Sequence, residues 1–377
     1  MRIGLVIEHF DPQSGGAERW IAAFAQYLVQ MGHEVHIFTF KCQVEIAPLF
    51  LHVMPEPGTL IGRAQVLERF VVPFRPMVLH DSGTGWSGEV FHSQTGSRLL
   101  CVKQDVAARR VGQRVASLLS PRIWWRHHLM DRIERQAMQN AKRVIVASSR
   151  LKTLLSQRHH LESARLRTIP NGIDPARFTA EILSPLRAPF RHELGAGDAL
   201  LCVMVAYNLR LKGLETALRA ISIVLQQRED IRLAVAGGMP DAEMADLISR
   251  LGVNDKVQFC GNVAGIEKLF AAADVFVHPS RWDACSLATT EAMASGLPVI
   301  TTVMDGASDL IKDGENGFVL RNPADHRRLA HCLTVLFDAA ARRRIGDAAR
   351  LKVSADRRQN DNFRAVEAVL AEACNET

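Results

Sequence analysis

Two rhythms of apolar residues take turns along this chain. Residues 2–7 are apolar and β-branched, Ser14-Gly15-Gly16 breaks the run, and 18–31 places apolar residues at helical spacing. Gly32 then suits a helix C-cap and 34–40 reads as a second strand. Strands follow at 143–147, 201–205, 231–236 (ending in Gly237-Gly238), 257–259, 275–278 and 299–302, with helical spacing at 213–227 and 241–251 between them. Strands that alternate with helices need crossover connections, which make parallel sheets. Between 168 and 194 the pattern is broken by Pro170, Pro175, Pro185 and Pro189, which reads as a linker between domains. The expected fold is α/β: two doubly wound parallel-sheet domains, 1–170 and 171–355, facing across a cleft. A helix at 362–373, within a last segment of about 356–377, is expected to pack back on the first domain.

Composition narrows this little but excludes much. A chain of 377 residues exceeds what one core usually serves, a barrel being the alternative, and 47% hydrophobic with 23% charged residues is ordinary for globular proteins. The net charge of +6 tolerates nucleotides, phosphorylated glycans or acidic lipid surfaces. No zinc-finger spacing or RNA-binding aromatic signature points to nucleic acid. The seven cysteines are scattered without a Cys-x-x-Cys pair and read as reduced thiols; adjacent His331 and Cys332 would point apart on a helix, so no metal site is expected. The opening segment turns polar at Glu8, too early for a signal peptide, and no run approaches the ~20 apolar residues of a membrane span. A cytoplasmic location is the expectation.

The densest chemistry lies in 274–299, DVFVHPSRWDACSLATTEAMASGLPV. A strand ends at His278, a helix occupies about 287–294 with Ser286 as N-cap, Asp283 sits in the loop between, and Glu291 lies one turn into the helix. The amides of Ala284, Cys285, Ser286 and Leu287 would then face the crevice beyond a strand's C-terminal end, a setting that suits a phosphate. A carboxylate accepts at both oxygens, so Asp283 could take sugar hydroxyls and Glu291 both hydroxyls of a ribose. A merely well-capped helix fits the same residues. Arg210 and Lys212 follow the strand 201–205 and precede the helix near Gly213, where two cations could bracket a diphosphate; a solvated basic pair fits too. Gly15-Gly16 lacks the Gly-x-Gly-x-x-Gly spacing of a dinucleotide site and could be only a tight turn.

Taken in order along the chain, these motifs resemble the GT-B, family-4-type retaining glycosyltransferases. Asp283, Glu291 and the following Ala-Met-Ala-Ser-Gly-Leu-Pro-Val are similar to their Glu-x7-Glu signature. Gly15-Gly16-Ala17-Glu18-Arg19 resembles their first loop, Ile169-Pro170-Asn171-Gly172-Ile173-Asp174 their interdomain segment, and Arg210-Leu211-Lys212-Gly213 their donor loop. The stretches 78–96 and 119–149 look like those of the lipopolysaccharide-core glucosyltransferases. The resemblance implies two Rossmann-like domains and a hexose, UDP-glucose first, moved from a nucleotide sugar to a hydroxyl of a glycan or lipid-linked glycan. No cofactor is implied. Lys212 and Arg210 would steady the diphosphate, Asp283 orient the sugar, Glu291 hold the ribose, and Gly15-Gly16 let ligands approach the first helix. The chain has Asp283 where the family has Glu and Ser286 where it often has Gly. No Asp-x-Asp triplet is present, as expected of a metal-independent transfer.

Two stretches remain. In 88–96, His92 is the candidate base, because the glucosyltransferase relatives carry an Asp where Thr95 falls here; a structural histidine is the alternative. The segment 122–135, RIWWRHHLMDRIER, mixes aromatic and basic residues on a predicted helix, suited to an anionic membrane surface or to packing on its own domain. Two rivals to the transferase stand: a catalytically impaired sugar-nucleotide-binding accessory protein, for which the residues at 283, 286 and 95 argue, and a nicotinamide-dependent oxidoreductase, against which the missing fingerprint argues.

Overall fold

The computed structural model describes residues 1–12, 15–42, 48–75, 77–94, 96–109 and 111–375, so Ser14 and Thr95 lie outside the described residues. It divides into two compact units. The first comprises Met1–Val106, Arg110–Asn171 and Asn360–Thr377, the second Ala107–Arg109 and Gly172–Gln359.

The sheet of the first unit consists of β1 (Arg2–Val6), β2 (Glu34–Thr39), β3 (Phe50–Val53), β4 (Val78–Asp81), β5 (Val90–Ser93), β6 (Arg143–Val146) and β7 (Leu166–Thr168). All seven are parallel, in the order 3-2-1-4-5-6-7. The central strands are buried at nearly every position because both faces are covered. Helix α1 (Gly16–Gln30) follows β1, and α2 (Arg98–Ala107) and α3 (Pro121–Asn140) lie between β5 and β6. Trp20, Ile21, Phe24 and Leu28 of α1 meet Ile3, Leu5, Ile37, Val78, Val90 and Ile145 in one core.

In the second unit β8 (Leu200–Ala206), β9 (Ile231–Gly237), β10 (Val257–Gly261), β11 (Val275–Val277), β12 (Val299–Thr302) and β13 (Phe318–Leu320) form a parallel sheet in the order 10-9-8-11-12-13. Numbered from its own first strand this is 3-2-1-4-5-6, the order of dinucleotide-binding folds, and the first unit shares it with one strand added. Its helices include α4 (Ala180–Glu193), α5 (Leu214–Leu225), α6 (Ala242–Arg250), α7 (Ile266–Ala272) and α8 (Leu287–Ala294), with two more at His326–Val335 and Ala339–Asp356. A last helix, α9 (Gln359–Asn375), completes the first unit's core with Phe363, Val366, Val369, Leu370 and Ala373. There Asn362 accepts from Trp20 Nε1 at 2.8 Å and donates to the Pro170 carbonyl at 2.7 Å.

The expectation of an irregular linker through 168–194 is corrected. Its second half is α4, with Pro185 and Pro189 inside it. Both prolines are exposed, one turn apart, so the carbonyls they leave unbonded face water. On the opposite side Leu183 and Phe190 are buried. Arg187 and Arg191 cap the carbonyls at the end of α7 and pair with Asp274 at 2.6 and 2.8 Å. Apolar spacing and guanidinium capping outweigh the two prolines here.

Burial works to raise the Asp274 carboxyl, but the Leu201 amide and the two guanidiniums outweigh it, and its pKa lies below the ordinary 3.8. A depressed carboxylate stabilises the fold above its unfolded pKa and loses that contribution as pH falls through the folded value. Asp274→Asn is therefore expected to lose about 1–3 kcal/mol in urea unfolding at pH 7. The deficit should narrow steadily as pH drops below 4; a constant deficit from pH 7 to pH 3 would contradict the assignment.

Candidate active site

In the second unit three loops converge beyond the C-terminal ends of adjacent strands. The loop after β8 carries Arg210 and Lys212 and ends at Gly213, whose φ of 82° is left-handed. A Cβ at Gly213 would lie 2.0 Å from the Pro279 carbonyl oxygen, so only glycine lets this loop close on the segment after β11. The Leu211 carbonyl accepts from the Arg281 amide at 2.8 Å and locks the approach.

That contact brings Lys212 to Asp283. The Lys212 ammonium donates to Asp283 Oδ2, and His278 Nε2 lies 3.2 Å from the same oxygen. Burial works to raise the Asp283 carboxyl, yet the Lys212 charge and the His278 contact outweigh it and hold it well below the usual carboxylate range. Asp283 is an anion at neutral pH, already held by a cation.

Behind it lies Asp305, a residue the sequence reading passed over. Its side chain is fully buried and accepts from the Ser286 amide at 3.0 Å, the Ala307 amide at 2.9 Å, Thr289 Oγ1 at 2.8 Å and Thr301 Oγ1 at 3.0 Å. Burial, then the neighbouring charge of Asp283, pushes its pKa up against these donors. The Asp-Gly turn at Asp305-Gly306 after a strand was the available signal. Here the expectation for the start of α8 needs correcting: the Ser286 amide is spent on Asp305 and is not open to a phosphate. Ser286 is the N-cap, accepting from the Thr289 amide at 3.1 Å. Ala284 and Cys285 are buried beside it, and Leu287 opens the helix.

Glu291 is only 5% exposed, with Arg177 Nη1 at 3.8 Å, so it is an oriented carboxylate with a cation near it. Arg210 lies apart from the Lys212–Asp283 pair in its contacts: its guanidinium engages Asp241 and Glu243 at the start of α6, at 2.5 and 2.8 Å.

In the first unit Gly15 is the N-cap of α1 and Gly16 its first residue. The Glu18 carboxylate folds back so closely that a Cβ on Gly15 would lie 2.2 Å from it. His92 does not reach the surface. It is 0% exposed, bonded through Nδ1 to His80 at 2.9 Å and packed edge-on against Trp20. Burial lowers its pKa well below 6.5 and that of His80 to about 4, so both rings are neutral in the core. A base must reach its proton, and the expected role for His92 gives way to packing. Among the described residues, no three His, Cys, Asp or Glu side chains converge as metal ligands.

Two doubly wound units, the second with a Lys-Asp pair and a buried glutamate beyond its strands, have the architecture of the GT-B glycosyltransferases. Comparison with known proteins agrees: residues 14–177 match the model for Glycosyltransferase Family 4 and 188–352 that for Glycosyl transferases group 1. The chain belongs to the family-4-type, group 1 glycosyltransferases. An uncharacterized glycosyltransferase of Methanocaldococcus jannaschii is 33% identical over 178 residues, 46% of this chain and 45% of that one. The lipopolysaccharide glucosyltransferase WaaG of Escherichia coli K12 is 24% identical over 85% of each chain. A GDP-mannose-dependent phosphatidylinositol monomannoside mannosyltransferase of Mycolicibacterium smegmatis is 28% identical over 84% of each. Among solved structures, WaaG superposes with a TM-score of 0.79 at 21% identity over 97% of this chain and 99% of that one. Anabaena HepE in complex with UDP-glucose gives 0.71 at 20% identity over 99% and 100%.

Asp305 holds four donors, so Asp305→Ala should lose about 3–5 kcal/mol in urea unfolding, through buried groups left unpaired. Asp305→Asn, which keeps an acceptor, should lose clearly less; equal losses would show that the hydrogen bonds are not what the carboxylate supplies.

Proposed function

We propose that this protein transfers a hexose, glucose from UDP-glucose in the leading case, to a hydroxyl of a glycan or lipid-linked glycan, with retention and without a metal. The observation that carries the reading is the junction of Lys212 with Asp283, one at the start of a helix and one in the loop before α8. As the bond from C1 of the sugar breaks, the electron pair leaves on the diphosphate, and Lys212 stabilises the growing charge. The acceptor oxygen bonds C1 from the same face, so the departing phosphate oxygen stands beside it and takes its proton. Asp283, freed from Lys212 as the diphosphate claims that cation, orients the sugar hydroxyls, and Glu291 holds the ribose. Arg210 reaches the diphosphate by exchanging its carboxylate partners. Glucose is favoured by the names of the E. coli and Anabaena proteins, with GDP-mannose, the donor of the mycobacterial one, as the competitor.

With EDTA present, one donor among UDP-glucose, UDP-galactose, UDP-N-acetylglucosamine and GDP-mannose should bind and be slowly hydrolysed. Lys212→Ala should cut turnover at least a hundredfold with a smaller effect on binding, while Glu291→Ala should weaken donor binding about tenfold or more. Binding indifferent to both changes would discard the site, and turnover that needs a divalent cation would discard the metal-independent reading.

Peripheral contact with the inner face of a membrane belongs to the same proposal. Trp124 and Trp125 near the start of α3 are 62% and 65% exposed, with Arg122 and Arg126 beside them. Indole rings favour the headgroup level and guanidiniums the anionic lipids there. No described helix is long and apolar enough to cross a membrane. Co-sedimentation with phosphatidylglycerol vesicles should exceed that with phosphatidylcholine vesicles and fall severalfold in Trp124→Ala/Trp125→Ala; wild-type protein indifferent to lipid charge would count against it.

A further inference from the structure

At the end of the second unit's sheet away from Lys212 and Asp283, arginines outnumber acids. A cavity of about 260 Å³ opens before the first residues of β11 and β12, lined by Arg187, Arg342, Arg343 and Arg350 together with Asp274 and Gly296. Sites for small molecules usually measure about 300–1,000 Å³, so this one suits a compact ligand. Its one carboxylate cannot balance the wall. Asp274 is shared by Arg187 and Arg191, at 2.6 and 2.8 Å, and the other three guanidiniums have no carboxylate partner among the described residues.

Two of the four arginines have a structural task. Arg187 caps the carbonyls of Ala271 and Ala273, and Arg342 donates through Nη1 to those of Leu336 and Phe337 at 2.7 and 2.9 Å. The other two are not used up in this way. Arg350 donates from Nη2 to the Ser295 carbonyl at 3.0 Å, but its Nε is buried with no acceptor among the described residues. Arg343 has no hydrogen-bond or ion-pair partner among the described residues, not even Asp347 one turn further on. Buried N–H groups in native proteins rarely stay unpaired, so an acceptor is expected. The helix Ala339–Asp356 carries Arg343, Gly346 and Arg350 at i, i+3 and i+7, along one face. A Cβ at Gly346 would lie 2.1 Å from the Gly296 carbonyl oxygen, and one at Gly296, whose φ is 77°, would lie 2.5 Å from Arg350 Nη2. Two glycines in contact thus let this face close on the turn that ends α8.

We infer that this cavity binds a phosphate group, at a site separate from the Lys212–Asp283 pair. Arg343 and Arg350 supply the charge-assisted bonds, because a guanidinium fork matches the oxygens of a phosphate. The eight residues of α8, about 12 Å of helix, lie between Ser295 and the loop of Asp283, so one phosphate does not reach both groups of cations. Free phosphate, a soluble phosphate ester and a lipid headgroup share this chemistry. The inference stands on the second unit alone and needs no assumption about the sugar donor.

Titration calorimetry of the full chain with inorganic phosphate and with glycerol 3-phosphate at fixed ionic strength, beside co-sedimentation with phosphatidic acid vesicles, tests it. At least one of the three should bind, and Arg343→Gln and Arg350→Gln should each weaken that binding about tenfold. Binding of a soluble compound identifies a small-molecule ligand, and Arg343-dependent binding of the vesicles alone identifies a lipid headgroup. Arg343 is exposed, so its replacement does not put folding at stake. Arg344→Gln removes the same charge from an exposed position outside the cavity and should leave binding nearly unchanged, as should Lys212→Ala. No binding of any of the three, equal losses in Arg343→Gln and Arg344→Gln, or binding abolished by Lys212→Ala would overturn the proposal.

Discussion

The buried carboxylate of Asp305 is what the active-site loops of the second unit depend on. Three segments meet on it: the end of β12 through Thr301, the start of α8 through the Ser286 amide and Thr289, and its own turn through the Ala307 amide. The backbone of Asp283 is in turn stitched to this turn, its amide donating to Met304 and its carbonyl accepting from Gly306. Asp283 is therefore placed by main-chain bonds, and its side chain is left to interact with Lys212 and His278. Burial and the charge of Asp283 push the Asp305 carboxyl up while it gathers the loops, whereas Lys212 and His278 hold that of Asp283 down. Two carboxylates so close can divide their roles only if their surroundings differ, as they do here.

The first unit uses the same device. Asp81, at the end of β4, accepts from the amides of Gly83, Thr84 and Gly85 at 2.8, 2.7 and 2.9 Å, and burial raises its pKa in spite of them. The loop it folds lines a cavity beside Ser93. In both units, then, a buried aspartate just past a strand converts a loop of free amides into a rigid wall. Such turns suit α/β sheets, whose strands are too apolar to carry chemistry and whose C-terminal ends must supply it.

Much of this was legible in the residues. Short apolar runs separated by helical spacing identified β8, β9, β11 and β12 because parallel strands covered on both faces have few polar positions to blur the pattern. Ser286 before Leu287 marked the start of α8 because the cap is a local bond. What escaped depends on distance in space. The prolines of α4 concealed a helix whose stability comes from Arg187 and Arg191 reaching α7 and Asp274, partners some eighty residues away. His92 looked available because a sequence does not show that Trp20 and His80 enclose it. Asp305-Gly306 marks a turn in the sequence but not the four donors that gather on its carboxylate, and the proximity of Lys212 to Asp283 turns on Gly213 against Pro279.

The placement of α9 bears on how the molecule is made. The second unit is almost wholly one unbroken span, Gly172–Gln359, whereas the first is finished only by Asn360–Thr377. During synthesis the N-terminal sheet emerges first but must wait, with Trp20, Phe24 and their neighbours uncovered, until Phe363, Val366 and Leu370 arrive after the whole second unit has left the ribosome. Domains usually mature in the order they are translated. Here the order is reversed at its last step, and the half made first is the half that spends longest with an open core.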